Sequence, residues 1–466
     1  MEDVDAAHQA LSFPLRGHAG PVVLDARGVH HPLSARGGRT FTPYEDLVHL
    51  TLSRRALWIG ARRDVAVLPR KAFVRADAPE ALAHALLEKL TDRPGSRAQL
   101  ARMAEIEERA RACPPSYATW GLAILCVVVY ALQLSLGHDV YIVGHMSPPL
   151  VADGDAWRLV TANLLHDDTM LPFHIHIVMN LLGLLTFGSL CERPLGAART
   201  LAVMGVSGLA AMTACAWQSL PVVGVSGVVF GLVGAVTWLE LFRAGSLPAW
   251  WRVPRRPLYT MLAVSFLLGA LIPFIAGAAH VAGFAAGALV AALLSDRDLR
   301  VRSAPAPVRA LAALVIAATV AGIAAAASQL MAPGDFGARH LARIATLRGI
   351  SPEELNNQAW FVAIDDASSR EKLLAALSLA ERAVRETDRR EPTILDTLAE
   401  LQFLTGEKDA AVATIEEAMA LAPSEPYYAE QRRRFLGERK DRPEYTDPYP
   451  RAPQPPAPAQ GNEVTA

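Results

Sequence analysis

Cysteine, charge, and any excess of one charge sign are scarce in this sequence. Only four cysteines occur in 466 residues, and no two of them stand as Cys-x-x-Cys. Cys126, Cys191 and Cys215 lie in or at the edge of apolar runs, and Cys113 precedes the first run. That excludes a disulfide framework and a thiolate zinc site. Charged residues make up 20%, and 45 Lys and Arg against 46 Asp and Glu leave a formal net charge of -1. Such a balance offers no basic face for nucleic acid. The stretch from Met1 to His8 is polar and lacks an apolar core, so no cleaved signal peptide is expected. The spacing of His138, His166, His174 and His176 demands no metal, and no cofactor is expected. Apolar residues are abundant: 52% are hydrophobic and the mean hydropathy is +0.23. This is the composition of a membrane protein with soluble parts.

Residues 1–112 read as a small cytoplasmic α+β domain. Pro21–Asp25, Leu47–Leu52 and Ala56–Gly60 have strand character, and a hairpin across Ala61–Asp64 joins the last to Val65–Leu68. An amphipathic helix with Pro79 at its start follows. The order loosely resembles a pleckstrin-homology-like fold, with no motif and no catalytic role of its own. A charged helix over 96–112 leads onward. About seven stretches then approach the roughly 20 apolar residues that cross a bilayer: 119–136, 173–191, 198–218, 222–242, 258–278, 279–295 and 310–331. The fifth and sixth are nearly continuous and are split at Gly277–His280. Arginines cluster before the first stretch and after the second, fourth and sixth, which assigns those loops to the cytoplasm. The acidic loop 138–172 lies outside. The N-terminus is then inside and the C-terminus outside a cell (inner) membrane. Residues 340–440 form a helical region. Ala399, Gly406, Ala411, Ile415, Ala418 and Pro423 fall at tetratricopeptide spacing, with helices at Ile394–Thr405 and Lys408–Leu421. A plain helical hairpin explains the same residues. This region is expected to offer a surface to peptides or protein partners. Residues 445–466 form a Pro-rich tail of disordered composition.

Three polar starts stand out among the apolar runs. Gly224-Val225-Ser226-Gly227 opens the fourth, His176 to Asn180 the second and Ala279-His280 the sixth. Topology puts all three starts on the outer side. At about 1.5 Å per residue, the four side chains Ser226, His280, His176 and Asn180 lie within roughly 10 Å of the outer helix ends. Gly227 and Gly231 are spaced i, i+4, as are Gly283 and Gly287, and such small-residue stripes let helices approach closely. Facing stripes bring Ser226 and His280 within hydrogen-bond reach. A serine beside a neutral imidazole is an activated nucleophile for acyl transfer. His176 and Asn180 share one helix face and supply oxyanion donors, with the Ser226 N–H as a third. No acidic residue stands near His280 in the membrane segments, so a Ser–His dyad is expected. Taken singly, each residue has a plainer explanation in helix packing, capping or interhelical hydrogen bonding. Their shared depth favours a site.

These residues resemble the rhomboid family of intramembrane serine proteases. Gly224-Val225-Ser226-Gly227 with Phe230, Gly231 and Gly234 resembles its serine motif. Ala279-His280, Gly283 and Gly287 resemble its base-bearing helix. His176 to Asn180 with Gly188 and Glu192 resembles its second helix, and Trp157-Arg158 its first-loop motif. The resemblance covers about 118–296. It implies an all-α polytopic bundle with a six-helix core and one further transmembrane helix (310–331). Ser226 would be the nucleophile, His280 the base, and His176, Asn180 and Gly224 the oxyanion and substrate side. It implies substrates that span the lipid bilayer and are cut in or near the membrane. His166 stands ten residues before His176, where the family often has a histidine at about five, so it inherits no role. Two rivals remain: a catalytically silent relative that binds and presents membrane proteins, and a solute transporter, which leaves the Gly-Xaa-Ser-Gly pattern unexplained.

Overall fold

The computed structural model describes residues 10–17, 20–32, 39–167, 174–218, 221–272, 276–296, 298–299 and 303–443. The Pro-rich tail, and Arg297, Arg300 and Arg302 of the proposed inner loop, lie outside the described residues. The chain divides into two compact units.

The first unit begins with seven strands. β1 (Leu11–Phe13), β2 (Val22–Leu24), β3 (Gly28–Pro32) and β4 (Arg39–Pro43) form one antiparallel sheet, and β5 (Leu47–Leu52), β6 (Ala56–Ala61) and β7 (Val65–Pro69) form another. The β6–β7 hairpin turns where Ala61 N–H bonds the Asp64 carbonyl at 2.9 Å. α1 (Ala78–Thr91) carries proline in its first turn. It buries Leu82, Leu86 and Leu90, spaced i, i+4, i+8, among Val22, Leu24, Leu57 and Ile59. β1, β3 and β4 were not foreseen. Gly-Val-His-His-Pro and Arg-Thr-Phe-Thr-Pro lack apolar alternation, and they pair with each other in a local antiparallel ladder from Pro32↔Arg39 to Gly28↔Pro43.

After α2 (Ser96–Arg111), the chain enters its apolar helices: α3 (Tyr117–Leu136), then α4 (His138–Gly144), α5 (Pro148–Ala152) and α6 (Arg158–Thr161) in the first loop, α7 (Ile175–Leu195), α8 (Ala197–Trp217), α9 (Ser226–Phe242), α10 (Arg255–Leu271), α11 (Gly277–Leu294) and α12 (Ala306–Met331). Among the described residues, α3, α7, α8, α11 and α12 are long and apolar enough to cross a membrane, while α9 is apolar but has 17 residues. α10 also has 17.

Several expected bounds move. α9 starts at Ser226 and not at 222, because Gly224 has φ +121°, a backbone no helix continues through. α10 stops at Leu271 and not at 278. Ile272 is extended, φ -108° and ψ 109°, as the residue before a proline tends to be. α11 accordingly starts at Gly277, two residues earlier than expected.

The arginines assigned to the inner face have structural work. Arg199 donates to the Leu294 and Leu195 carbonyls at 2.9 and 3.2 Å, which would otherwise end their helices unsatisfied. Arg109 donates to the carbonyls of Asp298, Leu299 and Ser246. Arg252 is fully buried against Glu240, near the end of α9, at 3.1 Å. Its Nη1 donates to the carbonyls of Ala61 and Asp64 in the β6–β7 turn. The N-terminal domain is therefore hydrogen-bonded to the membrane helices and does not hang from them on a linker.

The second unit joins residues Gln133–Ala156, the end of α3 and the first part of the first loop, to the chain from Ile323 onward. Its C-terminal helices are α13 (Phe336–Ile344), α14 (Pro352–Ile364), α15 (Arg370–Glu386), α16 (Pro392–Thr405), α17 (Lys408–Leu421) and α18 (Pro426–Phe435). Asp335, Ser351 and Ser369 cap α13, α14 and α15. Gly406, left-handed at φ +98°, turns α16 into α17. Successive helices share one apolar core that includes Leu355, Leu379, Leu398 and Ile415.

Candidate active site

Glycine sets the geometry from which the site is built. A methyl placed on Gly283 would collide with the Gly227 carbonyl, and one on Gly287 with the Gly231 carbonyl. The α11 stripe therefore rests directly on the α9 backbone, an approach that a β-carbon on Gly283 or Gly287 would prevent, while the open sides of Gly227 and Gly231 are closed by Ala211 and Ser207 of α8. Ser226 is the first residue of α9 and His280 the fourth of α11. Across this seam His280 Nε2 lies 3.1 Å from Ser226 Oγ. The imidazole is stacked on Phe230, one turn along α9 from the serine, with ring centroids 4.1 Å apart and planes 13° apart. Phe230 in turn meets Phe266 of α10. One face of the ring is thus packed against Phe230, while its Nε2 edge is aimed at the hydroxyl.

The turn before α9 is pinned from the first loop. Gly224 N–H donates to the Ala162 carbonyl at 2.8 Å. Its positive φ and its lack of a side chain leave room for α7. A β-carbon there would stand 2.9 Å from His176 Nε2 and 3.8 Å from Asn180 Nδ2. Both groups thus point at the backbone two residues before the serine. His176 Nδ1 accepts the Asp167 N–H at 3.1 Å, which assigns the proton of the neutral ring to Nε2, the nitrogen facing Gly224. Asn180 Nδ2 donates one hydrogen to the His176 carbonyl at 3.0 Å and keeps a second. His176, Asn180, Gly224, Ser226 and His280 are all brought together. A cavity of about 410 Å³ adjoins His280, lined also by Val281, Ser265, Phe266 and Gln218.

His166 was set aside on its spacing from His176. It is fully buried, its ring edge-on to His176 with centroids 5.2 Å apart and 6.4 Å from Tyr130. Burial, with His176 beside it, holds this imidazole down to about 3, so it stays neutral across the physiological range. Spacing along the chain hid this contact, because His166 and Asp167 fold back onto His176 of α7. His174, at φ 54°, is bonded to the Tyr130 hydroxyl at 2.7 Å. Among the described residues no group of His, Cys, Asp or Glu is arranged to hold a metal ion.

A serine and an imidazole joined across two closely packed apolar helices, with donors converging beside them, stand in a membrane-embedded helical bundle, and this is the constellation that acyl transfer requires. A family model, the Rhomboid domain, matches residues 153–297. Over 154 residues the chain is 31% identical to the putative rhomboid protease YdcA of Bacillus subtilis, covering 32% of this chain and 73% of the relative. It is 28% identical over 174 residues to the rhomboid protease GlpG of Haemophilus influenzae, 36% of this chain and 84% of that one. RHOMBOID-like protein 4 of Arabidopsis thaliana is 34% identical over 157 residues, but only 38% of its own length is covered. This chain belongs to the rhomboid family, a family of intramembrane proteases.

Proposed function

We propose that this protein is an intramembrane serine endopeptidase that cuts membrane-spanning proteins in or near the bilayer. The observation that carries the reading is the 3.1 Å contact of His280 Nε2 with Ser226 Oγ, side chains 54 residues apart in sequence. In the proposed reaction His280 Nε2 takes the hydroxyl proton as Oγ bonds to the scissile carbonyl carbon. The carbonyl π electrons move onto oxygen, and the oxyanion is met by His176 Nε2–H, the spare Asn180 N–H and the Ser226 backbone N–H. The intermediate collapses by expelling the amine, which takes the proton from His280, and leaves an ester on Ser226. Water, deprotonated by the same imidazole, attacks the ester; the C–Oγ bond breaks, His280 returns the proton to Ser226 Oγ, and the acid is released. The dyad works without a third acidic member.

The placement that goes with this reading is a cell membrane, with the N-terminal domain on the cytoplasmic side and the C-terminal helices outside. A transmembrane substrate reconstituted with the full chain in liposomes tests it. Cleavage is expected for the native sequence and should vanish in Ser226→Ala and in His280→Ala. Equal cleavage by the variants would overturn the reading. No cleavage by any of them, with binding of the substrate intact, would favour a silent relative that binds and presents partners.

A further inference from the structure

The first loop is held by the C-terminal helices, and this contact has no counterpart in the proposed chemistry. Arg343, on α13, directs its guanidinium at two first-loop carboxylates at once. Nε lies 2.9 Å and Nη2 2.5 Å from Asp153 Oδ2. Nη1 lies 3.0 Å from both Asp155 oxygens. Such forked charge-assisted pairs fix orientation as well as distance. Asp155 is almost fully buried, with 4% of its side chain exposed, which removes most of the solvent screening that weakens surface ion pairs. An apolar contact stands beside the polar one. Leu150 is fully buried, and the cluster that buries it contains Leu341, Ile344, Leu347 and Ile350. Leu341 and Ile344 flank Arg343 in the chain, so α13 contributes to both the polar and the apolar contact with the loop.

Chain order gives the grip a consequence. Asp155 stands two residues before Trp157, where the loop passes into Arg158–Thr161. The next residue, Ala162, offers the carbonyl that receives Gly224 N–H, two residues before Ser226. We propose that the C-terminal helical region is a clamp on the first loop, with Arg343 as a positioning residue that acts through Asp153 and Asp155 on the Ala162–Gly224 bond. The clamp also requires the C-terminal helices and the first loop to share one side of the membrane. Its effect on cleavage rests on the protease reading above; its effect on the loop does not.

The test uses the full chain in detergent micelles, with amide hydrogen exchange read over residues 138–156 and at Gly224. Arg343→Ala is expected to speed exchange in both places about tenfold, while exchange in α14 to α17 stays as it was. Arg343→Lys, which keeps the charge but loses the fork, should restore part of the protection. Asp153→Asn removes one arm of the fork from the loop side. Combined with Arg343→Ala, it should add less than the sum of the two separate effects. If the protease reading holds, Arg343→Ala lowers kcat for a transmembrane substrate and leaves KM within about twofold. Unchanged exchange over 138–156 in Arg343→Ala, with the C-terminal helices folded, overturns the clamp. Strictly additive effects of Arg343→Ala and Asp153→Asn overturn it as well. Failure of a fluorophosphonate to label Ser226 in the native chain would count against the protease reading alone, because the exchange measurement judges the clamp without it.

Discussion

Replacing Gly283 by alanine adds one methyl group at the seam between α9 and α11. That methyl would be built into the Gly227 carbonyl, and the relief available is for the two backbones to part by roughly 1 Å. His280 and Ser226 stand on opposite sides of the same seam at 3.1 Å. Parting the helices by that amount carries the pair to about 4 Å, beyond hydrogen-bond reach. Misplacement of a reacting group by about 1 Å costs roughly a hundredfold in rate, and overpacking a close contact costs about 1–3 kcal/mol of stability. Gly283→Ala is therefore expected to label with a fluorophosphonate about two orders of magnitude more slowly than the native chain, and to unfold at a lower temperature. Gly121→Ala is the matched control. A β-carbon there meets nothing within 4 Å, so labelling should be unchanged and the helix slightly more stable. Native labelling by Gly283→Ala would refute the reasoning, since it would mean that the Ser226–His280 contact does not depend on glycine at the seam.

The site and the two soluble regions carry further expectations. Gly224→Ala puts a β-carbon 2.9 Å from His176 Nε2 at φ +121°. It should lower kcat about 10²- to 10³-fold with little change in substrate binding, measured in the liposome cleavage assay. Arg252→Ala leaves the Glu240 carboxylate buried without its cation, which is expected to cost about 3–5 kcal/mol, while Glu240→Gln with Arg252 retained should cost less; thermal unfolding of the two full-length variants decides. Burial and the neighbouring Glu400 raise the Asp396 carboxyl from its ordinary 3.8 to about 7. Between those values the folded C-terminal region keeps a proton that the unfolded chain has lost, so unfolding releases it and stability falls as pH rises from about 4 to 7. At about 1.4 kcal/mol per pH unit the upper limit of the change is roughly 4 kcal/mol. Protection factors in α16, which divide out the base-catalysed rise of intrinsic amide exchange with pH, should accordingly be lower at pH 8 than at pH 5, and Asp396→Asn should remove that difference.

Much of the membrane part was legible because lipid enforces simple rules. Each spanning segment must satisfy its own backbone, so it is written as a continuous apolar run. Polar residues inside such runs are costly enough to be informative. Ser226, His280, His176 and Asn180 could be placed at one depth by counting residues from the outer helix ends. The i, i+4 glycines marked α9 and α11 as helices in close contact, although Gly227 and Gly231 turn their open sides to Ala211 and Ser207 of α8. Less legible were the ends of the runs. Hydropathy does not register the positive φ of Gly224 or the extended Ile272, and both determine where a helix starts or stops.

Charges outside the apolar runs were read only by sign, and there the sequence concealed most. Arg252 counted as one more positive residue of an inner loop. In the structure it is the buried centre of a knot joining Glu240 to the Ala61–Asp64 turn, 188 to 191 residues away in sequence. Asp153 and Asp155 counted as part of an acidic outer loop, yet they are the partners of Arg343, 190 and 188 residues further on. A charge near a membrane has two different uses. As a topological signal it acts through its sign and its place among its neighbours, which are written locally. As one half of an ion pair it acts through a partner that the fold alone selects. The same arginine can serve both uses, so reading orientation from charge leaves open which charges are exposed to solvent and which tie the soluble domains to the membrane helices and loops.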